Sequence, residues 1–494
     1  MPEYVQFVGN QGGQSVLTFY LGMAEGILDK TNCTLRAVFI TWTHSEKMWL
    51  HSQGVDLKYV ACFEDFVSDR HLVDLKIEVE YLNQAYPNVN WSAIIASERS
   101  FTDYSFLLGG LGNRIERQDY INRLLSNMVR FFENAYLEFS TQAVVTQAAD
   151  TLFSYVAIKV AQHRGLAVRS IIPAWLLEPG KEGGFFAIDE YLTCRAMKDG
   201  FTALSTKELK HEEEKRVDLF KESILQFNGE TSFYKANNRN SNFLLSPNYK
   251  RFMSYVTHNW KLNKNVFYTR FSLRAKFHAN LIRVWRRYQF SRLNGSSDLS
   301  VVPKKSIFFA MHMQPELSTL TQGIWYSNQI ALIENISKSL PIGYILIVKE
   351  HPANRGFRPA WQYQHIKKLY NVLMCDAPSK DIVRSVQAVI TITGTIGMES
   401  IVLRKPVIIL GRTFYSFFDR YFHPAGIEEL PGILRNILVG QSYLQGEDFE
   451  RASNRFLLAY LQALVPHFPL PQNGHKWGHY LVDELRESKL FPTS

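Results

Sequence analysis

Short apolar runs rich in β-branched residues alternate with helical segments between residues 306 and 410, and this alternation most constrains the fold. The runs are Ser306 to Ala310, Tyr344 to Val348, Ala388 to Ile392 and Pro406 to Leu410. Strands that alternate with helices are typical of βαβ units in a parallel sheet. Because such sheets bind ligands beyond the carboxyl ends of their strands, we expect a binding site in the loops after these runs.

The amino-terminal part of the chain shows the same alternation. We predict strands at Tyr4–Val8, Arg36–Trp42, Leu57–Phe63, Ser92–Ala96, Ala143–Thr146 and Ala167–Ile172. Since single hydrophobic cores stop growing at about 250–300 residues, a chain of 494 residues should divide into more than one core. The predicted fold class is α/β, with two doubly wound Rossmann-like domains facing a cleft, a helical insert and a helical carboxy-terminal tail.

One segment makes the protein basic. Residues 231–297 contain no Asp or Glu but thirteen Lys or Arg, which exceeds the net charge of +9 of the whole chain. Aromatic residues such as Trp285 and Tyr288 are interleaved with these cations. This composition suits an anionic membrane surface or an anionic glycan, or else buries the aromatics in a core and exposes the cations. No recognised nucleic-acid reader motif accompanies the charge, so we expect no nucleic-acid partner.

Three features favour a cytoplasmic location. No run approaches about 18 uninterrupted apolar residues, so we expect no membrane-spanning helix. The start, Met1-Pro2-Glu3-Tyr4, lacks the basic and apolar regions of a secretory signal. The four cysteines are scattered without metal-type or disulfide-framework spacing, which fits a reducing compartment.

His351 ends a predicted strand and precedes Pro352, which disfavours helical conformation at the histidine. An imidazole there, with Lys349 beside it, is suited to reach a phosphate or a leaving oxygen. The alternative is a histidine at a strand end that caps a turn.

A second candidate site is the turn Thr393-Gly394-Thr395, which follows a buried strand and opens a helix. Backbone N–H groups and the positive dipole at such a helix end favour a phosphate. Glu399 falls in the first turn of this helix, where it either accepts the hydroxyls of a ribose or is simply favoured by the dipole.

Two further groups of polar residues follow predicted strands. His312, Gln314 and Glu316 come after the strand at 306–310, where a capping arrangement is the alternative to a binding role. Glu98 and Asp103 follow the strand predicted at 92–96. They would face the second domain and serve as acid, base or nucleophile, unless they belong to a solvated surface loop.

The four ordered motifs resemble those of a known family. They are His312-Met313-Gln314-Pro315-Glu316, Lys349-Glu350-His351-Pro352, Thr391 to Glu399, and Lys405 to Gly411. The carboxy-terminal half looks like the bacterial capsular polysaccharide biosynthesis proteins, which include transferases of 3-deoxy-manno-octulosonic acid (Kdo) from its CMP-activated form. The resemblance implies a metal-independent GT-B glycosyltransferase without a cofactor, with His351 and Pro352 contacting the nucleotide and residues 393–395 contacting the phosphate. Ser400 stands where the family is expected to have alanine.

From this resemblance we expect four regions. They are an acceptor domain at 1–195, a basic helical connector at 196–300, a nucleotide-sugar domain at 301–440 and helices packing back across the domains at 441–494. The expected reaction transfers an acidic sugar such as Kdo from a CMP-linked donor to a lipid-linked or polysaccharide acceptor. Residues 235–292 would hold the protein at the inner face of the membrane.

The expected roles follow the motifs. His351 and Lys349 would neutralise the leaving phosphate, Glu399 would hold the ribose, and Glu98 or Asp103 would act as base or nucleophile. Two alternatives stay open. One is a UDP-sugar transferase or hydrolysing epimerase on the same scaffold, and the other is a non-catalytic protein that binds a membrane or polyanion.

Overall fold

Two β-sheets organise the protein, which we describe from a computed structural model. The described residues are 3–9, 14–69, 74–97, 115–147, 151–174, 176–181, 184–226, 273–293, 298–314, 318–440, 447–466 and 473–487. The amino-terminal sheet contains β1 (Glu3–Val8), β2 (Leu35–Thr41), β3 (Val60–Cys62), β4 (Thr141–Gln147), β5 (Ala167–Pro173) and β6 (Gly184–Ile188). The first five strands are parallel in the order β5-β4-β1-β2-β3, and β6 pairs antiparallel with β5.

Helices cover both faces of this sheet. They are α1 (Gln14–Lys30), α2 (His44–Ser52), α3 (Phe63–Asp69), α4 (Leu75–Ala85), α5 (Trp91–Ser97), α6 (Ile115–Glu138) and α7 (Leu152–His163). On one face α6 and α7 pack with Val8, Ile40 and Val144 of the strands. On the other face α1 packs with Val5 and Phe7. Alternate strand residues thus point into two separate apolar layers, as a doubly wound sheet requires.

The strand predicted at 92–96 is wrong, because these residues lie in α5. Asn90 Oδ1 accepts a hydrogen bond from the N–H of Ala93 at 2.9 Å, which caps the start of the helix. Trp91 and Ile94 are both buried, and their separation of three residues puts them on one helical face. The local cap therefore outweighs the strand preference of the apolar run. The reason for placing Glu98 and Asp103 at a strand end is lost, and both residues lie outside the described part.

The carboxy-terminal sheet is entirely parallel. Its strands are β7 (Ser306–Ala310), β8 (Ile345–Lys349), β9 (Val372–Met374), β10 (Ala388–Thr391) and β11 (Val407–Ile409), in the order β11-β10-β7-β8-β9. Later helices are α8 (Arg195–Leu204), α9 (His211–Gln226), α10 (Leu273–Leu293), α11 (Gln329–Ser339), α12 (Ala360–Lys368), α13 (Ser379–Ser385), α14 (Ile396–Val402), α15 (Leu430–Val439), α16 (Glu447–Ala463) and α17 (Gly474–Glu487). Both sheets share the strand order 3-2-1-4-5, which confirms the prediction of two Rossmann-like units in an α/β fold.

The insert helix α10 docks on the carboxy-terminal unit. Phe290 is buried against Tyr363, with ring centroids 4.9 Å apart. Arg286 donates to the carbonyl of Phe357, and Arg287 Nε donates to the carbonyl of Arg355 at 3.2 Å. Among the described helices, including this one, none is long and apolar enough to cross a membrane.

The two units share an apolar cluster next to the carboxy-terminal tail. Phe186 of β6 stacks on Phe414 with ring centroids 4.9 Å apart, and Met398 of α14 lies in the same cluster as residues of α8, α9 and α16. Beyond α16, the short strand β12 (Val465–Pro466) pairs antiparallel with β6. The last helix, α17, then packs on α1 and buries Trp477 in the core of the amino-terminal unit. The carboxy-terminal tail therefore contacts both units through α16 and the amino-terminal unit through β12 and α17.

Candidate functional site

The loops after β7 and β10 meet at the point where the order of the carboxy-terminal sheet reverses. The N–H of Thr393 donates to His312 Nε2 at 3.2 Å, and Thr391 Oγ1 lies 3.4 Å from the same nitrogen. The helix after β7 packs on one face of the sheet with Ile333, whereas the helix after β10 packs on the other face with Ile396. The crevice between two such loops is the usual ligand position in a doubly wound sheet.

A side-chain amide fixes the backbone of His312. Gln329, the first residue of α11, accepts from the N–H of His312 at 2.7 Å and donates to its carbonyl at 3.1 Å. Arg358 donates to the same carbonyl at 3.3 Å. The predicted neighbour Gln314 is buried and donates to the carbonyl of Ser327. Gln314 therefore holds the loop from inside, and Glu316 lies outside the described residues.

The turn at Gly394 has no space for a side chain. Its N–H donates to Thr391 Oγ1 at 2.9 Å, and its carbonyl accepts from the hydroxyl of Tyr415. A Cβ atom at position 394 would lie 2.9 Å from Thr391 Oγ1 and 3.1 Å from His312 Nε2. Because the N–H groups of Thr393 and Gly394 already donate to His312 and Thr391, they do not form the phosphate cradle expected at this turn. The buried hydroxyl of Thr393 has no hydrogen-bond partner among the described residues.

His351 caps a turn, as the structural alternative for this residue predicts. Its Nδ1 accepts from the N–H of Ala353 at 3.2 Å, at the start of the short helical turn Pro352–Asn354. The neutral ring therefore carries its proton on Nε2. Pro352 is exposed beside it. His351 lies close enough to His312 for a charge on one ring to affect the pKa of the other.

Both imidazoles are neutral at physiological pH. Burial lowers the pKa of His312 to about 3, and the proximity of His351 adds to this shift. Burial also lowers the pKa of His351 to about 4, although the nearby carboxylate of Glu350 opposes the change. These rings can therefore donate or accept hydrogen bonds, but neither brings the positive charge that we expected His351 to supply to a phosphate.

A buried ion pair supports the loop that carries His351. Glu350 Oε2 accepts from Arg358 Nε and from the hydroxyl of Tyr363, each at 2.8 Å. Both charged side chains are almost completely buried. Such a pair is costly to separate, because removing one partner leaves an uncompensated buried charge. Glu350 is thus committed to the loop structure.

Lys349 and Glu399 lie on the side of the sheet that faces α13. Lys349 Nζ donates to the carbonyl of Ala377 at 2.7 Å and to Ser379 Oγ at 3.2 Å, and burial lowers its pKa. Glu399 accepts from Thr395 Oγ1 at 3.3 Å. Burial raises the pKa of Glu399, while the charge of Lys380 opposes that shift. Both side chains are partly exposed, and Lys349 holds the loop before α13 through its two hydrogen bonds.

Two cations that the sequence motifs did not indicate approach each other from different units. Lys159 lies on α7, and its pKa is lowered by burial and by the charge of Arg412. Arg412 follows β11, and its N–H donates to the carbonyl of Gln322 at 3.0 Å. The sequence signals that could have indicated them are the single lysine in the apolar stretch of α7 and the arginine directly after the strand-end Gly411.

The fold and the switch-point loops define an α/β protein with two Rossmann-like units and a candidate ligand site in the second. Residues 326–418, which include the loops after β8 and β10 but not His312, match the family model described as capsule polysaccharide biosynthesis protein. The match covers under a fifth of the chain, in the region where three of the four sequence motifs resemble that family. A comparison with curated protein sequences finds no match.

Several solved structures are similar at low identity. The UDP-GlcNAc 2-epimerase of Methanocaldococcus jannaschii is 12% identical over 99% of this chain and 100% of that one, with a TM-score of 0.24. KpsC of Thermosulfurimonas dismutans, a beta Kdo 2,7 transferase, is 10% identical over 69% of this chain and 87% of that one, with a TM-score of 0.33. Anabaena HepE in complex with UDP and glucose is 12% identical over 98% and 99%, with a TM-score of 0.27. At these scores no residue role is transferred from them.

Replacing Gly394 by alanine should destabilise the protein by about 1–3 kcal/mol, because the added methyl group enters a packed turn. Urea unfolding would measure the loss. Gly432→Ala is the matched control, since a Cβ at that helical position meets nothing within 4 Å. The control should be neutral or slightly stabilising. Equal stability of the two variants would contradict the close approach of His312 to this turn.

The free energy of unfolding should fall as the pH drops from about 6.5 towards 4. Unfolded histidines take up protons near pH 6.5, whereas the folded pKa values of His312 and His351 are about 3 and about 4. The unfolded state therefore binds more protons in this window, and each imidazole costs about 1.4 kcal/mol per pH unit. Above pH 6.5 the full stability is present.

Urea midpoints at pH 7.5 and pH 5 would measure this slope in the wild type and in His312→Gln. The variant should lose a smaller fraction of its stability between the two pH values. His211→Gln, which changes an exposed histidine at the start of α9, should keep the wild-type slope. An unchanged slope in His312→Gln would show that His312 is not buried as a neutral ring.

Proposed function

We propose that the protein is a glycosyltransferase of surface polysaccharide or glycoconjugate synthesis that binds a nucleotide sugar at the carboxy-terminal switch point. The observation that carries the proposal is the contact between His312 and the 393–395 loop, and this loop lies in the segment that matches the capsule family. Ligand sites of doubly wound sheets lie at this place. The proposed donor is a CMP-activated acidic sugar such as Kdo.

The donor phosphate would bind between the loop after β8, which carries His351, and the loop after β10, which carries Thr393. His351 would donate from Nε2, since its Nδ1 is occupied by Ala353, and the buried hydroxyl of Thr393 would supply a second donor. Hydrogen bonds to a charged acceptor in a site that excludes water are stronger than neutral ones. Both groups are held by their own loops before the ligand arrives, which favours stabilisation of the charge that develops on the leaving phosphate.

Positive charge would come from Lys159 and Arg412, because the imidazoles are neutral and Lys349 is bound to the loop before α13. Burial lowers the pKa of Lys159, and the charge of Arg412 adds to this shift, so the two cations repel each other in the absence of ligand. An anion placed near both would relieve this repulsion. We propose metal-independent transfer on this basis, with two side-chain cations neutralising the leaving group and no cofactor.

The remaining roles rest on position and on the family resemblance. The carboxyl group of Glu399 would accept hydrogen bonds from the ribose hydroxyls, with Thr395 holding its orientation. Glu98 or Asp103 would serve as base or nucleophile towards the anomeric carbon. The acceptor would be a lipid-linked or polysaccharide chain.

Purified protein should release CMP from CMP-Kdo or CMP-sialic acid in the presence of an acceptor. His351→Ala should lower the rate by about 100-fold, which is typical for the loss of one preorganised donor to developing negative charge. Nucleotide release can be followed by chromatography. His365→Ala is the control, because His365 pairs with Glu334 on the outer side of the same unit and should leave the rate unchanged.

The other outcomes separate the alternatives. Activity with UDP-sugars and none with CMP-sugars, seen as nucleotide release or as epimerisation, would favour a UDP-sugar transferase or a hydrolysing epimerase. Binding of anionic vesicles without turnover of any nucleotide sugar would favour a non-catalytic binding protein. Full activity of His351→Ala would remove the phosphate role assigned to this histidine.

We also propose that α10 holds the protein against an anionic membrane. Four large side chains on one side of this helix are about half exposed, namely Leu281, Val284, Trp285 and Tyr288. Their spacing places them on a single helical stripe, and Arg292 lies 4.6 Å from the ring centre of Tyr288 at its end. The absence of Asp and Glu from 231–297 makes the segment complementary to anionic headgroups.

Arg286 and Arg287 instead bind the carboxy-terminal unit, which corrects their expected place on a membrane surface.

Trp285→Ala should weaken binding to vesicles that contain phosphatidylglycerol by at least about fivefold, because it removes the largest apolar side chain of the stripe. Co-sedimentation would measure binding, and nucleotide release should stay unchanged. Trp325→Ala, at an exposed tryptophan on another surface, is the control and should bind vesicles like the wild type. Equal vesicle binding by both variants would remove α10 as the contact.

A further inference from the structure

The last helix of the chain carries two histidines that approach an aspartate of the first helix. His475 and His479 lie four residues apart near the start of α17, and Asp29 lies near the end of α1. We infer that these three side chains bind a divalent metal ion of the zinc type. The site is independent of the proposed transferase function, and the sequence motifs indicated no metal ligands.

The distances fit a metal ion with three protein ligands. Asp29 Oδ2 lies 3.0 Å from His479 Nε2 and 3.6 Å from His475 Nε2. All three ligand atoms lie within 4.8 Å of one another. Zinc bonds of about 2.0–2.1 Å in tetrahedral geometry separate the ligand atoms by about 3.3 Å. Small side-chain rotations would therefore admit the ion, and a water molecule would complete the coordination.

The choice of ligands selects the kind of ion. Two imidazoles and one carboxylate suit zinc, cobalt or nickel, whereas magnesium and calcium prefer oxygen ligands alone. Histidines at positions i and i+4 present their rings on one face of a helix, and this spacing recurs in zinc sites. The ring centres of His475 and His479 are 4.7 Å apart, which confirms that both face the same side.

The helix pair that carries the ligands is held at unusually close range. A Cβ atom on Gly26 would lie 2.1 Å from the carbonyl oxygen of His475, and one on Gly478 would lie 2.2 Å from the carbonyl oxygen of Met23. Gly22 and Gly474 approach each other in the same way. Only glycines permit this backbone contact, as in other helix pairs packed through small residues. The ligands are thus fixed by two rigid backbones and not by flexible loops, which favours a defined metal geometry.

The position of the cluster assigns a structural role to the ion. Helix α1 leads from the carboxyl end of β1 to the amino end of β2, so Asp29 lies at the sheet edge opposite the one where ligands bind. Lys30, the next residue, donates to the carbonyl of His479 and pairs with Asp483. A bound ion would add to these contacts and hold the end of the chain on the first helix.

The test uses the whole protein, stripped of metal with a chelator and then titrated with zinc or cobalt. Calorimetry should show one site, and cobalt should give the visible absorption of a tetrahedral complex. Zinc should raise the melting temperature, since an ion that binds only the folded state stabilises it. His475→Ala and Asp29→Asn should each weaken binding at least about tenfold and abolish the thermal shift, because ligand loss exceeds the 10–100-fold cost of losing a supporting group.

His44→Ala is the matched control. His44 Nδ1 lies 2.8 Å from Asp65 Oδ1, so this exposed pair resembles the site but has no second histidine. The control should bind zinc with the affinity of the wild type. The proposal is overturned if the wild type binds no zinc, or if His475→Ala and Asp29→Asn bind it as tightly as the control. Because the three ligands lie at the surface, these variants should fold, and an unchanged circular dichroism spectrum would verify it.

Discussion

The adjacency of β7 and β10 in the carboxy-terminal sheet is the constraint on which the candidate site depends. Thr393, beside the turn at Gly394, is 81 residues from His312 in the sequence, and only the strand order brings the two into contact. The helices that follow these strands pack on opposite faces of the sheet, which is the arrangement that places a ligand between such loops in doubly wound sheets. Any change of strand order would keep every local element and still abolish the site.

Most of the charged side chains near these loops are bound to other groups of the protein. Glu350 and Arg358 neutralise each other in the interior, and Lys349 holds the loop before α13. The two imidazoles remain uncharged because burial disfavours their protonated forms. What is left for a ligand is a small number of oriented hydrogen-bonding groups. Such a division explains how a polar site can exist in a well-packed sheet without large unpaired buried charges.

The sequence was sufficient for the elements whose signal is local. The strands at 306–310 and 345–349 lie where their apolar runs predicted them. The apolar run at 92–96 was wrongly predicted as a strand, because the hydrogen bond that Asn90 Oδ1 accepts from Ala93 caps a helix there. The three-residue strand β9 is too short to show any period. Local sequence patterns therefore predicted the two units but not every strand within them.

Contacts between distant residues were beyond such reasoning. The sequence pointed to His351 as the imidazole that meets the 393–395 loop, yet the direct contact is made by His312. Which of two strand-end histidines reaches the loop depends on strand order, which no local pattern contains. The cations Lys159 and Arg412 lie on different units, and Asp29 meets a histidine 450 residues away. The conformation of Glu98, Asp103 and Glu316 lies outside the described residues, so their roles stay predictions.

The packing of α17 on α1 has a consequence for biosynthesis. Trp477, Leu481 and Leu485 fill the apolar layer against β1, and Glu484 pairs with the buried guanidinium of Arg169 on β5. A ribosome makes the sheet of this unit well before α17, since 315 residues separate Arg169 from Glu484. During synthesis the amino-terminal unit therefore keeps one face uncovered, and Arg169 lacks Glu484, until α17 has been made.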